Sequence, residues 1–218
     1  MVTTESPPEQ RMVLYHVSWG TYERLLHDYE QCSSPRFTYD RGILEIMSPF
    51  SEHEAFGRFL DFVLAAWADA TDTLVRITGS TTYKREDLQR GFEPDSSYYI
   101  QHEAAVRGKE RIDLRVDPPP DLVVEVDITH SSLDKLSIYA QVGVPEVWRY
   151  DGARLHLLVL RKGTYVAGTQ SGVVSPLTAD ALLALLQGVA EQDAATWLRR
   201  AQTWARSLGS PDAGRSHQ

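Results

Sequence analysis

The eight residues Asp121–Ile128, DLVVEVDI, set the strongest constraint on what this chain can fold into. Read with the two-residue period of a strand, Leu122, Val124, Val126 and Ile128 share one face, and Asp121, Val123, Glu125 and Asp127 share the other. A strand this aliphatic belongs in a core, yet Glu125 and Asp127 are neighbours on one face. Adjacent carboxylates repel unless water, a cation or a proton separates them. A buried carboxylate without a partner costs several kcal/mol. The strand therefore asks for a counter-charge, which Arg149 can supply as a salt bridge and a bound metal ion can supply as a site. Asp127, near the strand end, reads equally as a cap of the turn that follows.

The rest of the chain gives that strand a setting. With 218 residues and 42% hydrophobic residues, the sequence suits one domain with a sizeable core. The net charge of −8 lacks the basic signature usual among nucleic-acid binders, although an acidic metal site adds negative charge of its own. The single cysteine, Cys32, leaves no intramolecular disulfide and no cysteine zinc cluster, and suits a reducing compartment. The start of the sequence is polar, and no run approaches the ~18 apolar residues of a membrane span. A cytoplasmic protein without membrane contact is expected.

Hydrophobic periodicity orders the chain as strands and helices intermixed. Residues 1–11 read as a flexible tail, 12–206 as a single domain and 207–218 as a disordered tail. Ser18 caps a helix carrying Tyr22, Leu25, Leu26 and Tyr29. RFTYDRGILEIMSP reads as a hairpin turning at Asp40-Arg41-Gly42. Ser51 and Glu54 have the spacing of a capping box ahead of an amphipathic helix with Phe56, Leu60, Val63 and Trp67 on one side. TLVRITGSTTYK reads as strand and turn, GFEPDSSYYI as turn and strand, and VRGKERIDLRVDPPP as a loop. After the aliphatic strand, Thr129, Ser131 and Ser132 offer caps for a helix that Gly143 ends. A strand PEVWRYD, a hairpin around Lys162-Gly163 and two helices near 178–187 and 190–206 complete the domain. The class is α/β or α+β.

Each candidate functional residue has a structural alternative. Asp95, after Pro94 at a strand start, reads as a turn residue or a ligand. Lys135, in the first turn of its helix, sits at the end the helix dipole disfavours for a cation, a mismatch that nearby carboxylates offset. His53 lies on the apolar side of its helix and Glu54 on the polar side, either as ordinary helix-start residues or as part of a site. Glycine-rich phosphate loops, the HExxH zinc helix and GxSxG are absent. If Asp95, Glu125 and Lys135 converge, two carboxylates hold a hard divalent cation, Mg²⁺ with Mn²⁺ able to substitute. A metal-bound water beside a lysine suits phosphodiester hydrolysis.

The blocks GILEIMSPFSEHE, EPDSSYYI and PPPDLVVEVDITHSSLDKLSIYAQVGVPEVWRYD resemble the Uma-type family of restriction endonucleases, part of the PD-(D/E)XK nuclease superfamily, over residues 14 to 165. The resemblance implies a restriction-endonuclease-like fold, a central mixed β-sheet flanked by helices. It implies a metal-dependent endonuclease acting on DNA, with Asp95 and Glu125 as its acids. The slot that usually holds lysine contains Asp127, which makes it either an extra metal ligand or a mark of lost chemistry, and Lys135 takes the lysine's role from the following helix. Glu54, with His53 beside it, matches the superfamily's helical glutamate. The catalytic set implied is Asp95, Glu125, Lys135, Glu54 and His53, and the metal set Asp95, Glu125 and Asp127. Lys84, Arg85, Arg90, Arg107, Lys109 and Arg111 are expected along one side of the DNA cleft. A homodimer is expected, since such nucleases often cut both strands as a pair. The alternative is a nuclease-like fold without catalysis, acting as an oligomeric interaction or regulatory module.

Overall fold

A computed structural model describes residues 10–48, 51–126, 133–151, 153–187 and 192–208, with the side chains of 51–56 outside that description. The chain opens with β1 (Gln10–Leu14), α1 (Trp19–Asp28) and a hairpin of β2 (Arg36–Asp40) and β3 (Ile43–Ser48), followed by α2 (Ser51–Thr71). Short strands β4 (Arg76–Ile77), β5 (Tyr83–Arg85), β6 (Arg90–Phe92) and β7 (Ser96–Tyr99) lead to the one-turn helix α3 (Glu103–Val106). The aliphatic stretch forms β8 (Leu122–Val126), then α4 (Lys135–Val142), β9 (Glu146–Tyr150), β10 (Leu155–Arg161), β11 (Thr164–Gly168), α5 (Ala179–Leu186) and α6 (Ala194–Leu208). β1 and α6 both extend into stretches that the sequence assigns to the tails, and α3 forms in the gap between the strand and the loop read from the sequence, where no element was expected.

Two sheets result. The smaller has the order β1-β3-β2-β6-β5 and is antiparallel throughout, and the larger has the order β11-β10-β9-β8-β7-β4. Within the larger sheet, β8 pairs parallel with β9 and antiparallel with β7, so the sheet is mixed. Helix α4 is the crossover that a parallel pair requires. Both faces of β8 are covered. Leu122 and Val124 pack under α2, α5 and α6 with Trp67, Trp148, Leu182 and Trp197. Val123 points the other way, to Tyr83, Phe92, Ile138, Tyr139 and Val147. A strand buried on both faces reads as a continuous aliphatic run, which is why LVVEV contains no exposed residue. Trp148 is fully buried in this packing, and its replacement by alanine costs about 3–5 kcal/mol.

Local chemistry sets the element ends. The hairpin between β2 and β3 turns through Arg41 and Gly42, both at positive φ, as a two-residue turn demands. Asp134 caps α4 by accepting from the Ser137 amide, and Gly143 closes the helix at φ 91°, donating to the Tyr139 carbonyl. At Gly91 the reason for glycine is space. A Cβ there would stand 2.1 Å from the Tyr22 hydroxyl, so α1 lies against β6 only because residue 91 has no side chain. Tyr22 in turn stacks on Tyr39, 4.9 Å between ring centres, and anchors α1 to the small sheet. Among the described residues no helix is long and apolar enough to cross a membrane.

Candidate active site

The site forms where β7, β8 and α4 meet. Ser96 pairs with Val124 and Ser97 with Val123, so one further step of the same register sets Asp95 opposite Glu125. Facing side chains of an antiparallel pair stand about 5 Å apart at Cβ. The alternation along β8 turns Glu125 to the side of Val123, the side that α4 covers. Lys135 and Tyr139 lie four residues apart on α4, one turn above the other, and both reach Glu125. The Lys135 ammonium donates to Glu125 Oε2 at 2.8 Å, and the Tyr139 hydroxyl donates to Oε1. Asp95 Oδ2 accepts from the Val126 amide at 2.7 Å, and the Arg36 guanidinium of β2 is paired with Oδ1. Asp95, Glu125 and Lys135, read from the sequence as one cluster, are therefore in one place.

Charge is dense and burial is high. Glu125 is 6% exposed and Lys135 9% exposed. Burial drives Glu125 above the ordinary carboxylate range; Lys135 opposes that shift and the Asp95 charge adds to it. Burial pulls Lys135 downward, but Glu125 and Asp95 outweigh it and hold the ammonium above its usual value. Tyr139 is pushed well up by burial and by the Glu125 charge, so it is a neutral donor. Glu45 of β3, 1% exposed, lies 3.6 Å from Arg11 and adds its field at Lys135.

Three contributors escaped the sequence reading. Arg36 carries no local signal, because its partner is 59 residues away. Glu45 is a charge inside the apolar strand ILEIM, a signal that was present but unused. Tyr139 stands at helical spacing from Lys135 and reads from sequence as core, which it also is. Asp127 lies outside the described residues, as do the side chains of His53 and Glu54. The backbone of α2 does approach the site, because a Cβ on Gly57 would lie 3.8 Å from the Asp95 carbonyl oxygen.

The basic residues expected along a cleft are all engaged internally. Lys84 is paired with Glu23, Arg85 with Asp87, Arg90 with Asp40, Arg107 with Glu103, Lys109 with Asp117 and Arg111 with Glu30. A cleft of about 800 Å³ does adjoin the acids at Arg36, and of the six expected cations Lys84 and Arg111 line it. Among the described residues no three His, Cys, Asp or Glu side chains are grouped as a metal site. The two acids are nonetheless a fitting donor set for a hard cation. Both offer carboxylate oxygen from adjacent strands, and their mutual repulsion is what a cation relieves. Mg²⁺ commonly takes only one or two protein carboxylates and fills its other positions with water.

With this geometry in view, the family comparison is decisive. Residues 19–190 match the Uma2 family, described as "Putative restriction endonuclease". The chain belongs to the Uma2 family. Its fold is mixed α+β, with a mixed β-sheet covered by helices, as expected from the sequence. A crystal structure from Anabaena variabilis, described as a "putative nuclease belonging to DUF820", aligns with 83% of this chain and 98% of its own, at 12% identity and a TM-score of 0.45. A comparison with curated proteins gave no match.

Proposed function

We propose that this Uma2-family protein is a Mg²⁺-dependent endonuclease that hydrolyses phosphodiester bonds in DNA, with Mn²⁺ able to substitute. The observation that carries the reading is Glu125 held between Lys135 and Tyr139 with Asp95 opposite, in a family of restriction-endonuclease type. Asp95 and Glu125 would hold the cation, with Asp127 as the candidate third ligand. The bound ion supplies an acidified water and positive charge for the phosphoryl group. Lys135 would orient the attacking water and stabilise negative charge as it develops on the phosphate. Tyr139 fixes the Glu125 carboxylate, leaving Oε2 toward Lys135. Glu54 and His53, at the start of α2, complete the proposed catalytic set. A cytoplasmic homodimer belongs to the same reading, because cutting both strands calls for two sites; sedimentation of the full chain tests it.

Purified protein incubated with supercoiled and linear DNA, with Mg²⁺ or Mn²⁺, tests the activity. Cleavage is expected, and its persistence in Asp95→Ala and Glu125→Ala would overturn the assignment. A second reading draws on the same contacts. Each oxygen of Asp95 and Glu125 already has a donor from within the chain, as in a site that has become a structural ion-pair network. Calorimetry separates the two, since the nuclease binds a divalent cation through these acids and the network does not.

A further inference from the structure

The cleft beside the acids has a composition that the proposed chemistry leaves unused. One wall comes from α1 and the turn after it, with Glu23, Tyr29 and Glu30. The other comes from β5 and the loop after α3, with Lys84 and Arg111. Two ion pairs join these walls. Lys84 meets Glu23 at 2.8 Å across 61 residues, and Arg111 meets Glu30 at 2.8 Å across 81. All four side chains are exposed, from 42% for Glu23 to 86% for Arg111. Exposed pairs of this kind are worth little and open readily. Arg76 also lines the cleft, its guanidinium fixed by the carbonyl oxygens of Val106 and Lys109. Tyr29 is 41% exposed and is braced edge-on by Phe37, 5.6 Å between ring centres. A third acid of the lining, Glu93, is half-buried and already engaged, accepting from the Phe37 amide at 2.7 Å and from the Thr82 hydroxyl. Glu110 is the remaining carboxylate of the lining.

Cations and an exposed, supported aromatic ring lining one groove form the pattern that binds a nucleic-acid strand with its bases unstacked. A volume of about 800 Å³ is of the order that engulfs a small organic molecule, enough for a few nucleotides of one strand but not for a duplex. The lining includes Arg36, the side chain paired with Asp95. Resting on the nuclease reading above, we infer that this cleft receives a single-stranded stretch of the substrate, with phosphates on Lys84 and Arg111 and a base stacked on Tyr29. Glu23 and Glu30 occupy the phosphate positions in the free protein. They are an internal competitor that a polyanion displaces and that a neutral or weakly charged ligand does not.

Fluorescence anisotropy of the full chain tests this in EDTA over a series of salt concentrations. The probes are a short labelled oligothymidine, an RNA strand of equal length and a blunt duplex. The single strands are expected to bind more tightly than the duplex. The pair Glu23→Gln and Glu30→Gln is expected to tighten strand binding roughly threefold to tenfold. The pair Lys84→Gln and Arg111→Gln is expected to weaken it and to lower the slope of log affinity against log salt by about 1.4. Tyr29→Ala is expected to weaken it about tenfold. The ratio of DNA to RNA affinity identifies the sugar preferred. Duplex bound as tightly as single strand, or strand affinity unmoved by both paired variants with unchanged thermal unfolding, overturns the inference. Because EDTA suppresses cleavage, strand binding without any cleavage in Mg²⁺ would sink the nuclease reading and leave the cleft standing. Duplex cleavage indifferent to the cleft variants would do the reverse.

Discussion

Asp121 and Glu125 are two buried acids on the same face at opposite ends of one strand, about 13 Å apart along it. Asp121 is 1% exposed, and main chain holds it. The amides of Ile100 and His102 both donate to Oδ2, at 2.7 and 2.9 Å, and His102 Nδ1 meets Oδ1. Glu125 is 6% exposed and is held by side chains, those of Lys135 and Tyr139, with a second acid across the ladder. The difference separates a pin from a tool. An acid fastened by backbone amides fixes the fold, here tying α3 to the start of β8. An acid fastened by an ammonium and a phenol, with a like charge opposite it, can exchange those partners for a cation.

The two acids fail differently when removed. The largest effect is on cleavage: Glu125→Ala or Asp95→Ala lowers the rate of the folded enzyme by about 10³-fold or more, the scale of losing a central charge-stabilising group. A nicking assay, with folding checked by circular dichroism, measures this. Asp121→Ala moves the other quantity. It leaves two backbone amides without their acceptor in a buried setting and costs about 3 kcal/mol of stability, while cleavage per folded molecule is kept. Denaturant unfolding reads the loss, and an Asp121 variant that is stable but inactive would erase the distinction.

Smaller effects sharpen it. Tyr139→Phe removes one donor from Glu125 without emptying space and is expected to lower activity about tenfold. That donor favours the ionised carboxylate, so its loss raises the Glu125 pKa further and moves the acid limb of the pH–rate profile upward. The smallest effect is a proton. Because Glu125 is raised above the ordinary carboxylate value of 4.5, its contribution to stability is full below that value and is lost as pH climbs through the raised one. A cation needs the ionised form, so cation affinity rises with pH through that window and binding releases protons. Titration calorimetry in two buffers of different ionisation enthalpy measures the release, and Glu125→Gln is expected to abolish it.

How much of this was legible before the structure follows from where each contact originates. The β2–β3 turn, the α4 stop at Gly143 and the amphipathic α2 depend on neighbours within a few residues, and the sequence states them. The convergence of Asp95, Glu125 and Lys135 was legible because the motif blocks name the residues and the strand period names the face. Arg36 was not legible, because nothing near it in sequence says that β2 will lie beside Asp95. Of the six cations expected along one side of a DNA cleft, Lys84 and Arg111 line the cleft beside Arg36 and the other four do not, and the pairing of these two with Glu23 and Glu30 depends on how α1 sits on the small sheet. That seat depends in turn on the missing side chain at Gly91. Strand β1 was hidden because an edge strand with alternate residues exposed has the composition of a tail.

The contact between Arg36 and Asp95 has one more consequence, in the order of events as the chain folds. Lys135 and Glu125 are 10 residues apart and Tyr139 and Glu125 are 14, so that half of the site closes over short loops. Arg36 and Asp95 are 59 apart. Closing the longer loop costs roughly 1.5 kcal/mol more chain entropy than closing the shortest. The lysine half is thus available to a nascent βα unit, whereas the arginine half waits until the two sheets have docked. In a refolding experiment, burial of the α4 contacts should precede recovery of the complete site, so that function marks the end of folding rather than its start.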